Sequence, residues 1–125
     1  MNNTTTKKLP LLILLLLGFC TTTFAQSDYY TKKAKSHISE AQQYLKKAEN
    51  YDNEAEYYND KASGYLREAE YYTRNGDYDR AATYTKWASD AADQAMTKAK
   101  WANSARDNAR DQMRWAKDAL DKVKK

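Results

Sequence analysis

The sequence has little of the residues that break or cross-link a chain. Its 125 residues include one cysteine, one proline and three glycines. Cys20 and Pro10 both precede residue 26, so residues 26–125 contain neither type. A disulfide framework, a cysteine nucleophile and a cysteine-ligated metal are therefore excluded for that stretch.

Large aliphatic side chains are scarce as well. Residues 26–125 contain no Phe, and their branched aliphatic residues are Ile38, Leu45, Leu66, Leu120 and Val123. Such a low content normally indicates disorder. Against disorder, the net charge is low and Ala, Glu, Lys, Arg and Gln are strong helix formers. Tyr and Trp supply the apolar area that Leu usually supplies.

The charge balance does not favour a dedicated nucleic-acid binder. The whole chain has 21 basic and 17 acidic residues, a net charge of +4. Lys7 and Lys8 precede residue 26, so 19 basic and 17 acidic residues leave +2 for residues 26–125. Nucleic-acid-binding domains usually carry a larger basic excess. The excess here gathers towards the C-terminal end.

The N-terminus has the pattern of a secretory signal peptide, residues 1–25. Lys7 and Lys8 precede a short apolar run, and Thr23-Phe24-Ala25 provides small residues for cleavage before Gln26. The run is too short to span a bilayer as a helix, which needs ~20 residues. We therefore expect export to the periplasm or the extracellular space, with residues 26–125 as the mature domain.

Cys20 offers an alternative, because a lipoprotein cysteine would anchor the chain to the outer membrane. A small residue usually precedes such a cysteine, whereas here the preceding residue is Phe19. The sequence therefore favours cleavage over lipidation. Contact with a membrane is expected only through the signal segment or a lipidated Cys20.

Alanine recurs with a strict seven-residue period in both halves of the chain. The first series is Ala34, Ala41, Ala48, Ala55, Ala62 and Ala69, and the second is Ala81, Ala88, Ala95, Ala102, Ala109 and Ala116. A ring stands three residues after each alanine of the first series, at His37, Tyr44, Tyr51, Tyr58, Tyr65 and Tyr72. A strict heptad keeps one stripe against a partner helix if the helices supercoil left-handedly. We call the twelve alanines the alanine seam.

One turn signal divides the mature domain into two nearly equal arms. Asn75-Gly76-Asp77 predicts a helix over residues 28–74, a turn at 75–77 and a second helix over 78–122. Such a short connection makes the helices antiparallel neighbours. The predicted fold is all-α, two long helices in an antiparallel coiled-coil hairpin with an alanine seam. We expect the Tyr side chains of the first helix to face Ala91, Ala92, Ala99, Ala105 and Ala119 of the second.

A longer period of fourteen residues marks a candidate binding face. A basic residue, Trp and Ala recur at residues 86–88, 100–102 and 114–116, which places the three Trp on one edge of the helix. Tyr, Trp and Arg are typical anchors of binding surfaces. The candidate face consists of Trp87, Trp101, Trp115, Lys100, Arg114, Tyr57 and Tyr71. Alternatively, the same Trp rings cover the seam or a dimer interface.

Two resemblances rest on the corner and on the alanine pattern. Residues 69–88, with Gly76, Tyr78, Ala81 and Ala88, resemble the turn of a tetratricopeptide repeat, although the segment occurs once and the arms are too long for that repeat. The mature region is similar to small secreted bacterial alanine-rich helical-hairpin domains of unknown function. That resemblance implies a helical hairpin and no particular activity.

No arrangement of residues indicates catalysis or a cofactor. The single histidine, His37, stands at a ring position and has no partners at metal-ligand spacing. Phosphate-binding loops and nucleophile elbows are absent from the sequence. The sequence thus favours an exported, non-catalytic structural or protein-interaction module without a cofactor or metal. The alternative is a protein that binds an anionic polymer, a glycan or an envelope lipid through the Trp and basic face of the second helix.

The narrow apolar stripe that each helix buries in a hairpin indicates which partners to expect. A two-helix hairpin buries one stripe of each helix, so pairing of hairpins into a larger bundle would cover the Tyr and Trp edges. We therefore expect self-association, with an envelope protein or a glycan as a further partner.

Overall fold

The computed structural model describes the backbone of residues 11–124 and the side chains of residues 25–124. It contains two long helices packed against each other, α1 (Leu11–Arg74) and α2 (Tyr78–Lys124), and no strand in the described range. The predicted all-α two-helix hairpin is confirmed. The supercoil that a strict heptad requires stays a prediction.

The helix ends differ from the sequence prediction mainly at the start of α1. The inner ends, Arg74 and Tyr78, lie where the turn signal places them. The predicted start at Asp28 is corrected, because α1 extends back to Leu11. The segment between them contains no proline, and its leucines favour a helix, so nothing ends the helix before Asp28. The far end of α2, Lys124, lies just past the predicted residue, within the usual scatter of helix ends.

The expected signal segment is described only in part. Lys7 and Lys8 lie outside the described residues, and so does the side chain of Cys20. The proposed cleavage position before Gln26 falls within α1. Within the described range, neither helix has a stretch that is both long and apolar enough to cross a membrane.

The turn satisfies the backbone groups that the two helix ends expose. The amide of Asp77 donates to the carbonyl of Tyr72 at 2.9 Å, and that of Gly76 donates to the carbonyl of Thr73 at 3.2 Å. This pair of bonds is the Schellman arrangement, in which the residue after the helix adopts a left-handed conformation. Gly76 does so, with φ of +78°. Asp77 then caps α2, since its Oδ1 accepts from the amide of Arg80 at 3.2 Å.

Alanine is the only residue type whose side chain is fully buried among residues 25–124. The twelve seam alanines have exposed fractions between 0% and 8%, and Ala91, Ala105 and Ala119 are buried with them. The described range contains no buried polar or charged residue. A core of methyl groups has room for little else, so the larger side chains must lie at its flanks.

The five alanines of α2 that were expected to face the Tyr side chains divide into two groups. Ala91, Ala105 and Ala119 are buried, as expected of positions opposite the Tyr side chains. Ala92 is exposed and Ala99 is half-buried, so the expectation that these two face the Tyr side chains is corrected. Both lie four residues after a seam alanine, on the opposite flank of the seam from the three buried alanines.

The contacts between residues divide the hairpin into two compact units. The turn unit is Glu40–Asp111, and the terminal unit combines the segment that ends at Ser39 with Gln112–Lys125. In the turn unit, Tyr51 lies against Trp101 and Tyr65 against Trp87. Tyr65 follows Tyr51 by fourteen residues in α1, and Trp87 precedes Trp101 by fourteen residues in α2. The two helices of this unit are therefore paired in an antiparallel register.

The seam tolerates only a small side chain, which an Ala102→Leu substitution tests. Ala102 is 0% exposed, so three added carbons overpack the line of methyl groups, at a cost of ~1–3 kcal/mol in the free energy of unfolding. Ala92→Leu in the same helix is the matched control, because Ala92 is exposed. Exposed substitutions usually stay within about 0.5 kcal/mol. Urea titrations followed by circular dichroism measure both. Equal stability of the two variants would contradict a close-packed seam.

The two glycines of residues 25–124 should respond oppositely to alanine. Neither has an atom within 4 Å of an added Cβ, so backbone conformation alone decides the outcome. Gly76→Ala places alanine in the left-handed region, which costs ~1–2 kcal/mol. Gly64 lies inside α1, where alanine is favoured over glycine by ~1 kcal/mol. Thermal unfolding should show a lower Tm for Gly76→Ala and a higher Tm for Gly64→Ala. The same direction for both would show that the turn geometry is different.

Candidate functional site: three aromatic clefts

The turn unit has an open cleft of about 300 Å³ beside Trp101. We call it the Trp101 cleft. Helix α1 lines it with Tyr44, Lys47 and Tyr51, and helix α2 lines it with Trp101 and Ala105. Ser104 and Asn108 add a hydroxyl and an amide group to the α2 side. The cleft therefore combines aromatic faces with one cation and neutral hydrogen-bonding groups.

The side chains of the Trp101 cleft are held by their neighbours. Ala105 is 4% exposed and forms its buried floor. The centroids of the Tyr51 and Trp101 rings are 5.5 Å apart with an interplanar angle of 66°, an edge-to-face arrangement that aromatic pairs favour. Trp101 keeps 45% of its surface exposed, so the indole is fixed by Tyr51 and still accessible.

Lys98 supports the indole from the neighbouring turn of α2. Its Nζ lies 4.7 Å from the centroid of Trp101 and 2.7 Å from Oε1 of Glu54 in α1. The hydrogen bond to Glu54 raises the pKa of Lys98 above its ordinary value, against the opposing effect of burial. The amine is therefore charged at neutral pH, and its attraction to the ring face orients Trp101.

The same arrangement recurs beside Trp87 in the turn unit. The Trp87 cleft, also about 300 Å³, is lined by Tyr58, Lys61, Tyr65, Trp87, Asp90 and Ala91. The Tyr65 and Trp87 centroids are 5.7 Å apart, again edge to face. Nζ of Lys61 lies 5.5 Å from the Tyr57 centroid and 6.0 Å from that of Tyr65. Asp90 accepts from Lys86 at 3.0 Å, so its charge is balanced.

The terminal unit contains a third aromatic cleft, the Trp115 cleft, of about 380 Å³. Its lining residues include Tyr30, Lys33, His37, Trp115 and Ala119. His37 occupies the position of a Tyr ring, 5.6 Å from the Trp115 centroid. Its Nδ1 donates to Oε1 of Gln112 at 2.7 Å, which fixes the orientation of the ring. Lys122 and Asp118 also line this cleft, and Nζ of Lys122 lies 5.3 Å from the Tyr30 centroid.

Alternation along α2 explains why the clefts recur every fourteen residues. The positions three residues after each seam alanine hold, in order, Tyr84, Ala91, Lys98, Ala105, Gln112 and Ala119. Long side chains at every second position reach across to α1, as Lys98 reaches Glu54 and Gln112 reaches His37. The short alanine between two long side chains leaves a gap, and that gap is the cleft.

The three predicted Trp residues all line clefts, whereas two predicted basic residues do not. Lys100 and Arg114 are exposed on α2 and are not part of the cleft walls. Each cleft has a lysine of α1 instead, at Lys33, Lys47 or Lys61, and the Trp115 cleft has Lys122 of α2 as well. A pattern in the sequence could have identified the α1 lysines, because they recur every fourteen residues and each directly precedes a seam alanine.

The two predicted Tyr residues lie at the edge of the aromatic surface. Tyr57 is 57% exposed and shares Lys61 with the Trp87 cleft. Tyr71 is 52% exposed and contacts Tyr72, whose ring stacks on Tyr84 with centroids 5.6 Å apart. Tyr84 in turn contacts Trp87 at 5.1 Å. Both Tyr residues therefore extend the ring contacts of the Trp87 cleft.

A different, apolar hollow of about 510 Å³ lies in the terminal unit. It is lined by Ile38, Met113, Ala116, Leu120 and Val123, with Lys117, Asp121 and Lys124 also present. This hollow collects three of the five branched aliphatic residues found after residue 25. Its aliphatic side chains suit it to apolar packing.

The clefts offer groups that can hold a ligand. Open aromatic surface with a lysine can hold a ligand by ring contact and charge. No group of three His, Cys, Asp or Glu side chains that could hold a metal ion is found in the part of the chain that the structure describes. No family model, no curated protein and no solved structure matches this chain.

Proposed function

We propose that the chain is an exported, non-catalytic structural or protein-interaction module. The distribution of its apolar side chains carries this proposal. The buried core is alanine, seven Tyr rings are half-buried at its flanks, and thirteen other large apolar residues keep between 41% and 69% of their surface exposed. These thirteen are Tyr29, Ile38, Leu45, Tyr57, Leu66, Tyr71, Tyr78, Trp87, Met96, Trp101, Met113, Trp115 and Leu120.

Exposure on this scale favours a binding role. Scattered single apolar residues are normal on a protein surface, but contiguous apolar patches usually mark interaction sites. The rings around Trp87 are contiguous, since Tyr65, Tyr84 and Trp87 lie within 6.1 Å of one another. Covering apolar surface releases ~25 cal/mol per Å², which is available to a partner because the fold itself does not use it.

The clefts also support a second function, the binding of an anionic polymer, a glycan or an envelope lipid. Each cleft combines a half-exposed indole with a lysine, and no nucleophile and base face each other across any of the three. Such a set of groups can hold a ligand and has no evident means of transforming it.

We expect the purified protein to self-associate, with the apolar hollow of the terminal unit at the contact. Its Leu120 is 41% exposed and its Met113 is 46% exposed, and a second copy would cover both. Sedimentation velocity at tens of micromolar should show a species larger than the monomer. Leu120→Gln should shift the population towards monomer, whereas Met96→Gln, 68% exposed and outside the hollow, should not. A strict monomer for the parent protein would refute self-association.

If the chain is exported through a cleaved signal peptide, its mature N-terminus should be Gln26. Expression of the full chain in a Gram-negative host should give a periplasmic product whose intact mass corresponds to a start at Gln26. A product that begins at Cys20 and carries added acyl mass would identify a lipoprotein instead. Retention of the full-length chain in the cytoplasm would contradict export.

A further inference from the structure

We propose that the Trp87 and Trp101 clefts of the turn unit are equivalent subsites for one class of ligand, a linear polysaccharide with sparse carboxylate groups. This inference rests on the proposed binding role of the aromatic surface and assigns a ligand chemistry to it. It is independent of self-association, which involves the apolar hollow and different residues.

The shape and polarity of the clefts suit a sugar ring. A sugar ring has one face of C–H groups, which carry partial positive charge and pack on the negative face of an aromatic ring. The indoles of these two clefts keep part of their surface open, 43% at Trp87 and 45% at Trp101. In the Trp101 cleft, Ser104 and Asn108 offer donors and acceptors for sugar hydroxyl groups.

The charges limit how acidic the ligand can be. Lys47 is the only charged residue that lines the Trp101 cleft, and it forms no ion pair with the part of the chain that the structure describes. In the Trp87 cleft, Lys86 balances Asp90 and leaves Lys61 as the net cation. Each of these two clefts thus presents about one positive charge to a ligand.

The spacing of those charges distinguishes a polysaccharide from a nucleic acid. Within the turn unit, equivalent residues of the two clefts lie fourteen positions apart in α1, such as Lys47 and Lys61. At 1.5 Å per residue this is ~21 Å along the helix. A strand of DNA carries a negative charge about every 3.4 Å. One lysine in ~21 Å matches a sparsely charged polymer far better.

Repetition of the cleft indicates a repeating ligand. A single small molecule needs one site, whereas copies of one site can engage successive parts of one chain. The second contact of a chain that is already bound is intramolecular, and the avidity gained can reach 10²–10⁴. Several shallow clefts can therefore hold a polymer that no single cleft would retain. An inserted lipid tail would instead call for an aliphatic surface, and these clefts are aromatic.

Hyaluronan oligosaccharides of increasing length are the probe, because every second sugar carries a carboxylate. The full-length chain would be titrated with them at low salt, and binding would be followed by Trp fluorescence and calorimetry. The dissociation constant should fall at least tenfold once the oligosaccharide is long enough to span ~21 Å, the distance between two clefts. Affinity should decline as salt rises, since an ion pair with lysine contributes.

Matched variants test which residues hold the ligand. Lys47→Ala and Trp101→Ala should each weaken binding by about tenfold, the effect of losing ~1.4 kcal/mol. The controls are Lys46→Ala and Met96→Ala, which change exposed residues outside the clefts and should leave affinity unchanged. Circular dichroism of each variant establishes that the helices are retained.

Other ligands provide the outcomes that would overturn the proposal. Absence of hyaluronan binding, or affinity independent of chain length, would exclude a polymer subsite. Equal binding of neutral chitin oligosaccharides would show that the clefts do not recognise a carboxylate, which would contradict the proposed ligand class. Tighter binding of oligothymidylate or of phosphatidylglycerol vesicles would assign the clefts to a nucleic acid or a membrane. Each failure would leave the interaction module intact if sedimentation still shows self-association, so the two proposals fail separately.

Discussion

The size of one methyl group at the seam governs the rest of this structure. Where two helices meet along a line of alanines, a longer side chain has no space, as the burial of all twelve seam alanines indicates. Alanine contributes little hydrophobic free energy, about 0.8 kcal/mol per buried methyl-sized group. The hairpin therefore also depends on partly buried rings at the flanks, such as Tyr51 against Trp101 and Tyr65 against Trp87. The pair of Arg106 with Asp52 between the helices, at 2.7 Å, keeps 41% and 48% of its side-chain surfaces exposed and adds little.

This placement of rings also creates the clefts. In most small domains the aromatic side chains fill the core, and the surface is left to polar residues. Here the core is already filled by methyl groups, so each Trp is packed on one edge and open on the other. Firm positioning and accessibility thus arise together, without a loop or a mobile segment. The binding role proposed for these rings draws on both properties.

The sequence predicted the seam, the turn and the Trp positions because each depends on a local rule. Strict spacing identifies Ala34 to Ala116, and glycine followed by aspartate identifies the corner at Gly76. The cations of the clefts were missed for a different reason. Lys100 and Arg114 stand beside Trp in the sequence, but neighbours in a helix point about 100° apart. Lys47 and Lys61, which line the Trp101 and Trp87 clefts, belong to the other helix. Which lysine meets which Trp depends on the register between α1 and α2, and the sequence does not state that register directly. The burial of Ala91 and the exposure of Ala92 depend on it in the same way.

The fourteen-residue alternation along α2 has a consequence for how such a chain can change in length. One block of α1, with its Tyr and Lys residues, is completed only by the block of α2 that carries the corresponding Trp and Ala. An insertion of one heptad in a single arm would place the long side chains of α2 that lie beyond it opposite the wrong rings, and the clefts beyond it would close. Two insertions of fourteen residues, placed opposite each other, would instead preserve the register and add one more cleft. The hairpin can therefore gain a cleft and keep its register only when both helices lengthen together by fourteen residues.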